Sequence, residues 1–382
     1  MRLPLNRPTV TVALMILAAS ACSGNATSPP AAADPASQRA NDGSMYTRPA
    51  DTTSILKLLK KSVEIGSTVD PSNGDKGPYA VSIVEQTLGD LTDGQLVVCN
   101  FENSAGKAGD GTTLEVLDPK AGSSPTRFYQ GSLIEGCDSD AINNQNYVYA
   151  GGLASTDLVK VSPIGKESKL YSGQPIAAPF ADTVGLPEQP FSPEYTFVGT
   201  TTGGIVSISE GFYGNGLATQ VAEGFAVNKD TGWSALAPSG LEYSRSLDVL
   251  YIVDGVTNTV VAFSHASELL DQNEIVVESG GKTFKCQHPK VTCGSLVYSG
   301  TPLDAPVAAT LLPNGNLIVA NTQGTANTLV ELTPQGKILD TKVVDTSKTQ
   351  GVYGLVASGT NDANTVLFFT DTNSNELIEL EQ

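Results

Sequence analysis

The run Leu250-Tyr-Ile-Val-Asp254-Gly-Val-Thr-Asn258-Thr-Val-Val-Ala-Phe263 reads as an apolar strand, a polar corner and a second apolar strand. It returns as Leu367-Phe-Phe-Thr-Asp371-Thr-Asn-Ser-Asn375-Glu-Leu-Ile-Glu-Leu380, with the same Asp-to-Asn spacing. A third copy, two residues longer in the corner, runs from Leu317 through Asn321 and Asn327 to Leu332. A phrase that recurs at long intervals marks a repeat architecture, in which each unit buries its apolar faces against its neighbours.

Looser copies stand upstream. Leu96-Val-Val-Cys-Asn100 leads to Thr113-Leu-Glu-Val-Leu117, Tyr147-Val-Tyr-Ala-Gly151 to Leu158-Val-Lys-Val161, and Tyr195-Thr-Phe-Val-Gly199 to Ile205-Val-Ser-Ile208. The six copies start at residues 96, 147, 195, 250, 317 and 367, and the longest step holds an excursion around Cys286 and Cys293. A turn signal precedes each copy, as at Asp93-Gly94 and Asn314-Gly315, and most copies are flanked by further short apolar runs. Short β-branched and aromatic runs punctuated by Gly, Asn, Asp and Pro are strand-and-turn chemistry. Four strands per repeat, six times over, predicts an all-β chain folded as a six-bladed β-propeller of four-stranded blades over residues 51–382. The last copy ends after its third strand, which would leave a sheet edge open. Ser62-Val-Glu-Ile65 is placed to supply the missing strand and close the ring, while Ile55 to Lys61 has the spacing of a short covering helix.

The corner pattern resembles the NHL-repeat group of six-bladed propellers, best at Asp254, Asn258, Asp371 and Asn375 and in stretched form at Asn321 and Asn327. Asn100 keeps the polar corner, whereas Gly151 and Gly199 replace it. Asp and Asn fasten tight corners by accepting backbone hydrogen bonds, and Gly fits the same place through its conformational freedom. Such exchange suits a structural corner and not a set of metal ligands.

The N-terminus carries an address. Met1-Arg-Leu-Pro-Leu-Asn-Arg7 is short and basic, and Thr11 to Ala21 is apolar but shorter than the roughly 20 residues of a membrane span. The segment Ala19-Ser20-Ala21-Cys22 resembles the lipobox of bacterial lipoproteins, which implies removal of residues 1–21 and a lipid on Cys22. In that family Ser23, in place of Asp, after the Cys suits outer-membrane sorting in a cell that has an outer membrane. Residues 22–50, rich in Ala, Ser, Pro, Asn and Gly, read as a flexible tether.

A net charge of −18 argues against nucleic acid and anionic lipid as partners, since both select basic surfaces. In an oxidising compartment the four remaining cysteines are expected to pair: Cys286 with Cys293 as the local bridge, and Cys99 with Cys137 by elimination.

Propellers similar in pattern include gluconolactonase-like hydrolases, which hold a divalent metal with Glu, Asn and Asp, and virginiamycin B lyase, which relies on His. Only His265 and His288 are present, neither at an inner-strand start, and no GxSxG, HExxH or Walker loop occurs. The segment Cys137-Asp138-Ser-Asp140-Ala-Ile-Asn143-Asn144 holds oxygen ligands that Ca²⁺ accepts, yet lacks the Gly and closing Glu of a calcium loop and is expected to be a solvated turn. Asn103 to Gly111 is expected to be a flexible loop. Functional groups are sought where inner strands begin around the channel, which picks out Tyr79, Asp140, Asp304 and Tyr353. The expectation is an exported, lipid-anchored, monomeric module that binds a small molecule, a glycan or an envelope protein. It needs no cofactor, with Ca²⁺ the only candidate. The alternative is a metal-dependent, lactonase-like hydrolase or lyase working at the channel.

Overall fold

A computed structural model describes residues 51–185, 194–210, 216–228, 238–322 and 326–382. The expected signal segment, Cys22 and the tether to residue 50 lie outside the described residues. Strand β1 (Lys61–Ser67) comes first and waits for its partner at the other end of the chain. Blade 1 comprises β2 (Lys76–Ile83), β3 (Leu96–Glu102), β4 (Ala108–Leu117) and β5 (Thr126–Gln130). Blade 2 comprises β6 (Cys137–Ile142), β7 (Val148–Gly152), β8 (Asp157–Val161) and β9 (Glu167–Tyr171). Blade 3 is built from β10 (Pro179–Gly185), β11 (Glu194–Thr200), β12 (Ile205–Glu210) and β13 (Leu217–Glu223).

In blade 4, β14 (Pro238–Ser244), β15 (Val249–Asp254) and β16 (Thr259–Ser264) are followed by a hairpin, β17 (Ile275–Glu278) and β18 (Thr283–Cys286), before β19 (Gly294–Ser299) completes the sheet. Blade 5 is β20 (Pro306–Leu311), β21 (Leu317–Asn321), β22 (Asn327–Leu332) and β23 (Ile338–Asp345). Blade 6 is β24 (Val352–Ser358), β25 (Val366–Asp371) and β26 (Glu376–Glu381), with β1 added outside β26. The six-bladed propeller closed by an N-terminal strand is therefore the fold. The inner strands β2, β6, β10, β14, β20 and β24 touch one another in sequence and β24 returns to β2, which closes the ring.

The apolar runs are continuous because both faces of each blade are covered. Strands β7, β15 and β21 are buried at every position, whereas the outer strand β9 is largely exposed. Each interface between neighbouring blades holds its own apolar cluster. Val97 and Cys99 meet Ile134 and Val159 between blades 1 and 2. Phe197 and Tyr243 meet Phe263 between blades 3 and 4. Residues Ile55, Leu56 and Leu59 plug the junction of blades 5 and 6. They form a single turn, with Leu59 N–H donating to the Ile55 carbonyl at 3.2 Å, and not the covering helix that their spacing allowed. Buried Glu331 holds this turn, accepting from Ile55 N–H at 3.2 Å, Leu56 N–H at 2.9 Å and Ser54 Oγ at 2.7 Å.

The repeated corner works between blades. Asp254 Oδ1 accepts from Val256 N–H at 2.8 Å, and Asp371 Oδ1 from Asn373 N–H at 2.9 Å, each closing its own turn. The Asn four residues on has left-handed backbone in both copies, φ 52° at Asn258 and 58° at Asn375. Its side-chain oxygen crosses to the next blade. Asn258 accepts from Ala305 N–H before β20 at 2.8 Å, Asn327 from Gly351 N–H before β24 at 3.0 Å, and Asn375 from Gly77 N–H in β2 at 2.9 Å.

Both expected disulfides form. Cys99–Cys137 joins β3 to β6 across the interface of blades 1 and 2, and both residues are fully buried. Cys286–Cys293 closes the end of the β17–β18 excursion. That excursion is no loose loop. Strand β17 pairs in parallel with β13, so a hairpin from blade 4 extends blade 3 to six strands. Asn273 fastens it, donating to Glu223 and accepting from Gln220, both at 2.8 Å.

Candidate functional site in the central channel

Every inner strand carries the same irregularity. Its pairing register shifts near its start, at Tyr79, Asp138, Phe180, Ser239, Val307 and Tyr353-Gly354. An extra residue in one strand leaves that side chain outside the ladder and re-aims it. Here the six re-aimed side chains line the channel. In β2, β10, β14 and β20 the residue before the bulge is Pro, at positions 78, 179, 238 and 306. Proline is tolerated at a strand start, where no ladder donor is required.

A ring of small residues follows: Ala80, Ser139, Ala181, Gly240, Ala308 and Gly354. The inner strands approach closely at this level. A Cβ on Gly240 would come within 2.9 Å of Ala308 Cα, and one on Gly354 within 2.8 Å of the Ala80 carbonyl carbon. Beyond the ring, Asp140 and Asp182 stand on neighbouring strands, with Glu242 one residue further along.

The channel encloses about 220 Å³. At its first end Tyr79 is sandwiched between Phe101 and Tyr353, with ring centroids 4.1 Å and 4.0 Å apart. At the other end the wall residues Glu85, Thr183, Val184 and Glu242 continue into an outer depression of about 400 Å³, flanked by Asp51, Arg245 and Asn314. The described lining of the channel contains four buried or half-buried carboxyl groups, from Asp138, Asp140, Asp182 and Glu242, and no Lys, Arg or His.

Such a wall cannot carry its full negative charge cheaply, because low dielectric surroundings penalise every ionised group. Burial pushes the Asp140 carboxyl up to about 7, against the hydrogen bond it accepts from Ser82 Oγ at 2.6 Å. Burial also raises Glu242 to about 8. Asp138 and Asp182 lie well above the ordinary carboxyl range, first through burial and then through neighbouring charge, that of Asp182 on Asp138 and that of Asp140 on Asp182. Neither oxygen of Asp138 is hydrogen-bonded by a neighbouring residue. Burial likewise raises Tyr353 to about 12 and Tyr79 well above its usual value.

Of the residues singled out from sequence, Tyr79, Asp140 and Tyr353 line the channel together. Asp304 does not. It is exposed in the segment leading to β20, where its N–H donates to Asn321 Oδ1 at 3.1 Å. The segment expected to be a solvated turn, Cys137 to Asn144, is largely the inner strand β6, and Asp138 and Asp140 are buried in it. Its polarity had a different cause: the inner edge of a blade faces the channel and not an apolar neighbour. The expected loop from Asn103 to Gly111 is a short turn that enters β4 at Ala108. Asp138, Asp182 and Glu242 were missed as channel residues. The recurrent Pro at inner-strand starts was the available signal, since counting forward from Pro179 and Pro238 reaches Asp182 and Glu242.

Among the described residues, no three His, Cys, Asp or Glu side chains converge as metal ligands. His265 holds a left-handed position ahead of a short 3-10 turn, and His288 pairs with Asp271 at 3.1 Å on the hairpin excursion.

No protein-family model matches the chain, and no curated protein matches it in sequence. Solved structures share its fold. A gluconolactonase from Xanthomonas campestris superposes with a TM-score of 0.53 at 12% identity, covering 87% of this chain and 94% of that one. A candidate gluconolactonase superposes with a TM-score of 0.51 at 14% identity, covering 85% and 94%. A streptogramin B lyase gives a TM-score of 0.48 at 14% identity over 84% and 87%.

Proposed function

We propose that this protein is an exported, lipid-anchored binding module that takes a small polar ligand into the propeller channel through the mouth at Thr183 and Glu242. The observation that carries this reading is the buried Asp138 carboxyl, which has no hydrogen-bonding neighbour and lines the polar channel. Buried polar groups are nearly always paired, so an unpaired one in a cavity marks a place for a partner. Two disulfides suit an oxidising compartment, and no described helix is long and apolar enough to cross a membrane. Attachment at Cys22 supplies the membrane connection in this reading. The second reading, a metal-dependent hydrolase or lyase working at the channel, would need ligands for a divalent ion that converge there.

A thermal-shift screen of the full-length protein against small polar compounds tests the binding site. Hits should vanish in Thr183→Trp, which fills the open mouth from a half-buried position. Hits that survive this substitution would remove the channel as the site. For the anchor, a lipid precursor fed to growing cells should label the protein and fail to label Cys22→Ala. Equal labelling of the two would end the lipoprotein reading.

A further inference from the structure

We propose that the channel ligand is a linear organic cation bearing two or more ammonium groups, held in turn by the carboxylates of Asp138, Asp140, Asp182 and Glu242. This rests on the channel being the binding site and adds the ligand's class. The first argument is charge balance within the wall. Strand β6 contributes Asp138 and Asp140, β10 contributes Asp182, and β14 contributes Glu242. Glu85 follows β2, while the remaining titratable groups are the phenols of Tyr79 and Tyr353. Strand β20 adds none, through Val307, Ala308 and Ala309. Among the described lining residues four acids stand without a base, which calls for a cation from outside or else for protons.

The second argument is hydrogen bonding. Asp138 is 6% exposed, and a neighbour hydrogen-bonds neither of its oxygens. An ammonium group brings three donors and a charge, whereas a neutral hydroxyl brings one donor and no charge.

The third argument is spacing. Asp140 and Asp182 lie two residues past the bulge level of Asp138, Glu242 one residue further, and Glu85 three beyond that. At roughly 3.3 Å per strand residue, the four acids from Asp138 to Glu242 are spread along the axis over about 10 Å. A compact metal ion needs ligands gathered at one point, and among the described residues no three His, Cys, Asp or Glu side chains gather here. A chain with charges separated by a few methylenes matches carboxylates at three successive levels, the middle one shared by Asp140 and Asp182. The stacked faces of Tyr79 and Tyr353 at the far end from Glu242 suit its methylenes and terminal cation.

Binding would ionise wall carboxyl groups that burial keeps partly protonated. Each one that ionises loses its O–H proton to bulk buffer, so uptake of the cation should release protons.

Titration calorimetry of the full-length protein with spermidine, in two buffers of different ionisation enthalpy at pH 6.5, reads both affinity and proton release. The expected result is saturable binding with net proton release, weakened at least tenfold by Asp138→Asn and by Asp182→Asn. Asp93→Asn, at an exposed site outside the channel, should leave the affinity unchanged. Circular dichroism confirms that each variant is folded. Equal weakening by Asp93→Asn would reduce the effect to diffuse attraction by an acidic surface and overturn the proposal. No saturable binding to wild type would overturn it as well. If a neutral ligand still binds and is lost in Thr183→Trp, the cation class falls while the channel site stands. If spermidine binds Thr183→Trp as tightly as wild type, both fall.

Discussion

The side-chain oxygen of Asn375, in the last blade, accepts a hydrogen bond of 2.9 Å from the backbone N–H of Gly77, in the first. The same relation joins blade 4 to blade 5 through Asn258 and blade 5 to blade 6 through Asn327. At Asn375 it seals the ring.

Asn375→Ala should therefore cost about 2 kcal/mol, combining about 1 for the hydrogen bond with about 1 for Ala in a left-handed backbone that Asn tolerates. Asn375→Gly keeps the backbone and should cost about half as much. Guanidinium denaturation of the two variants separates the contributions. Equal midpoints for Ala and Gly would show that the backbone conformation contributes nothing.

Removing the buried staple with Cys99→Ala and Cys137→Ala should destabilise by about 4 kcal/mol on the loop-entropy account, given the sequence separation of 38. Removing Cys286 and Cys293, only 7 apart, should cost about 2 kcal/mol. Thermal unfolding should show the first pair as the larger loss. The reverse order would mean that the hairpin matters more to the ring than the joint between blades 1 and 2.

The pH dependence follows from raised carboxyl groups. Asp140 titrates near 7 and Glu242 near 8 in the fold, against about 4 in an unfolded chain. Their preference for the protonated state favours the fold fully below about pH 4, and this contribution is lost as pH rises through 7 and 8. Glu115, raised to about 9 by burial and by the neighbouring Asp70, adds to the same trend. Asp70 acts in the opposite direction. Burial would raise it, but the bidentate Arg127 contacts at 2.6 and 2.7 Å, with turn amides, hold it below the usual range. Its contribution is present above about pH 4 and is lost as pH falls through its depressed value. The unliganded protein should thus be most stable in mild acid and lose melting temperature between pH 5 and pH 8.5. Glu242→Gln should flatten part of that slope, and an unchanged slope would remove Glu242 as a contributor.

Glu331→Ala would leave the N-terminal turn without its acceptor. The loss of several hydrogen bonds to a fully buried carboxylate should cost about 3 kcal/mol or more. Limited proteolysis should then cut between residues 51 and 61 before the propeller opens. First cleavage within residues 62–382 instead would show that the turn is held by its apolar residues alone.

The ring was legible because its middle strands are buried on both faces, as in Val249–Asp254, and so stand out as apolar runs between polar corners. Closure by the strand at Ser62–Ile65 was legible because the last repeat stops one strand short. The channel was hard to read for the opposite reason. Inner strands such as Cys137–Ile142 face a polar space along one edge, so Asp138 and Asp140 broke the apolar pattern and resembled a turn. The hairpin at Ile275–Cys286 was opaque because its pairing partner, β13, belongs to the preceding blade. Nothing local in its sequence names that partner. Asp304 was misplaced by two residues of loop before β20, enough to turn a channel candidate into an exposed one.

The pairing of β1 with β26 also sets a timetable. Lys61 and Glu381, partners across that seam, stand 320 residues apart, so the first strand made has no mate until almost the last is finished. Throughout synthesis the segment Lys61–Ser67 lacks its β26 partner, and it is mostly polar where it will later face solvent. Lys61, Ser62 and Glu64 then serve the waiting chain as much as the finished ring, because charged and hydroxyl side chains discourage pairing with the wrong neighbour. Blade 3 keeps a shorter wait of the same kind, extended only when the hairpin of the following blade arrives.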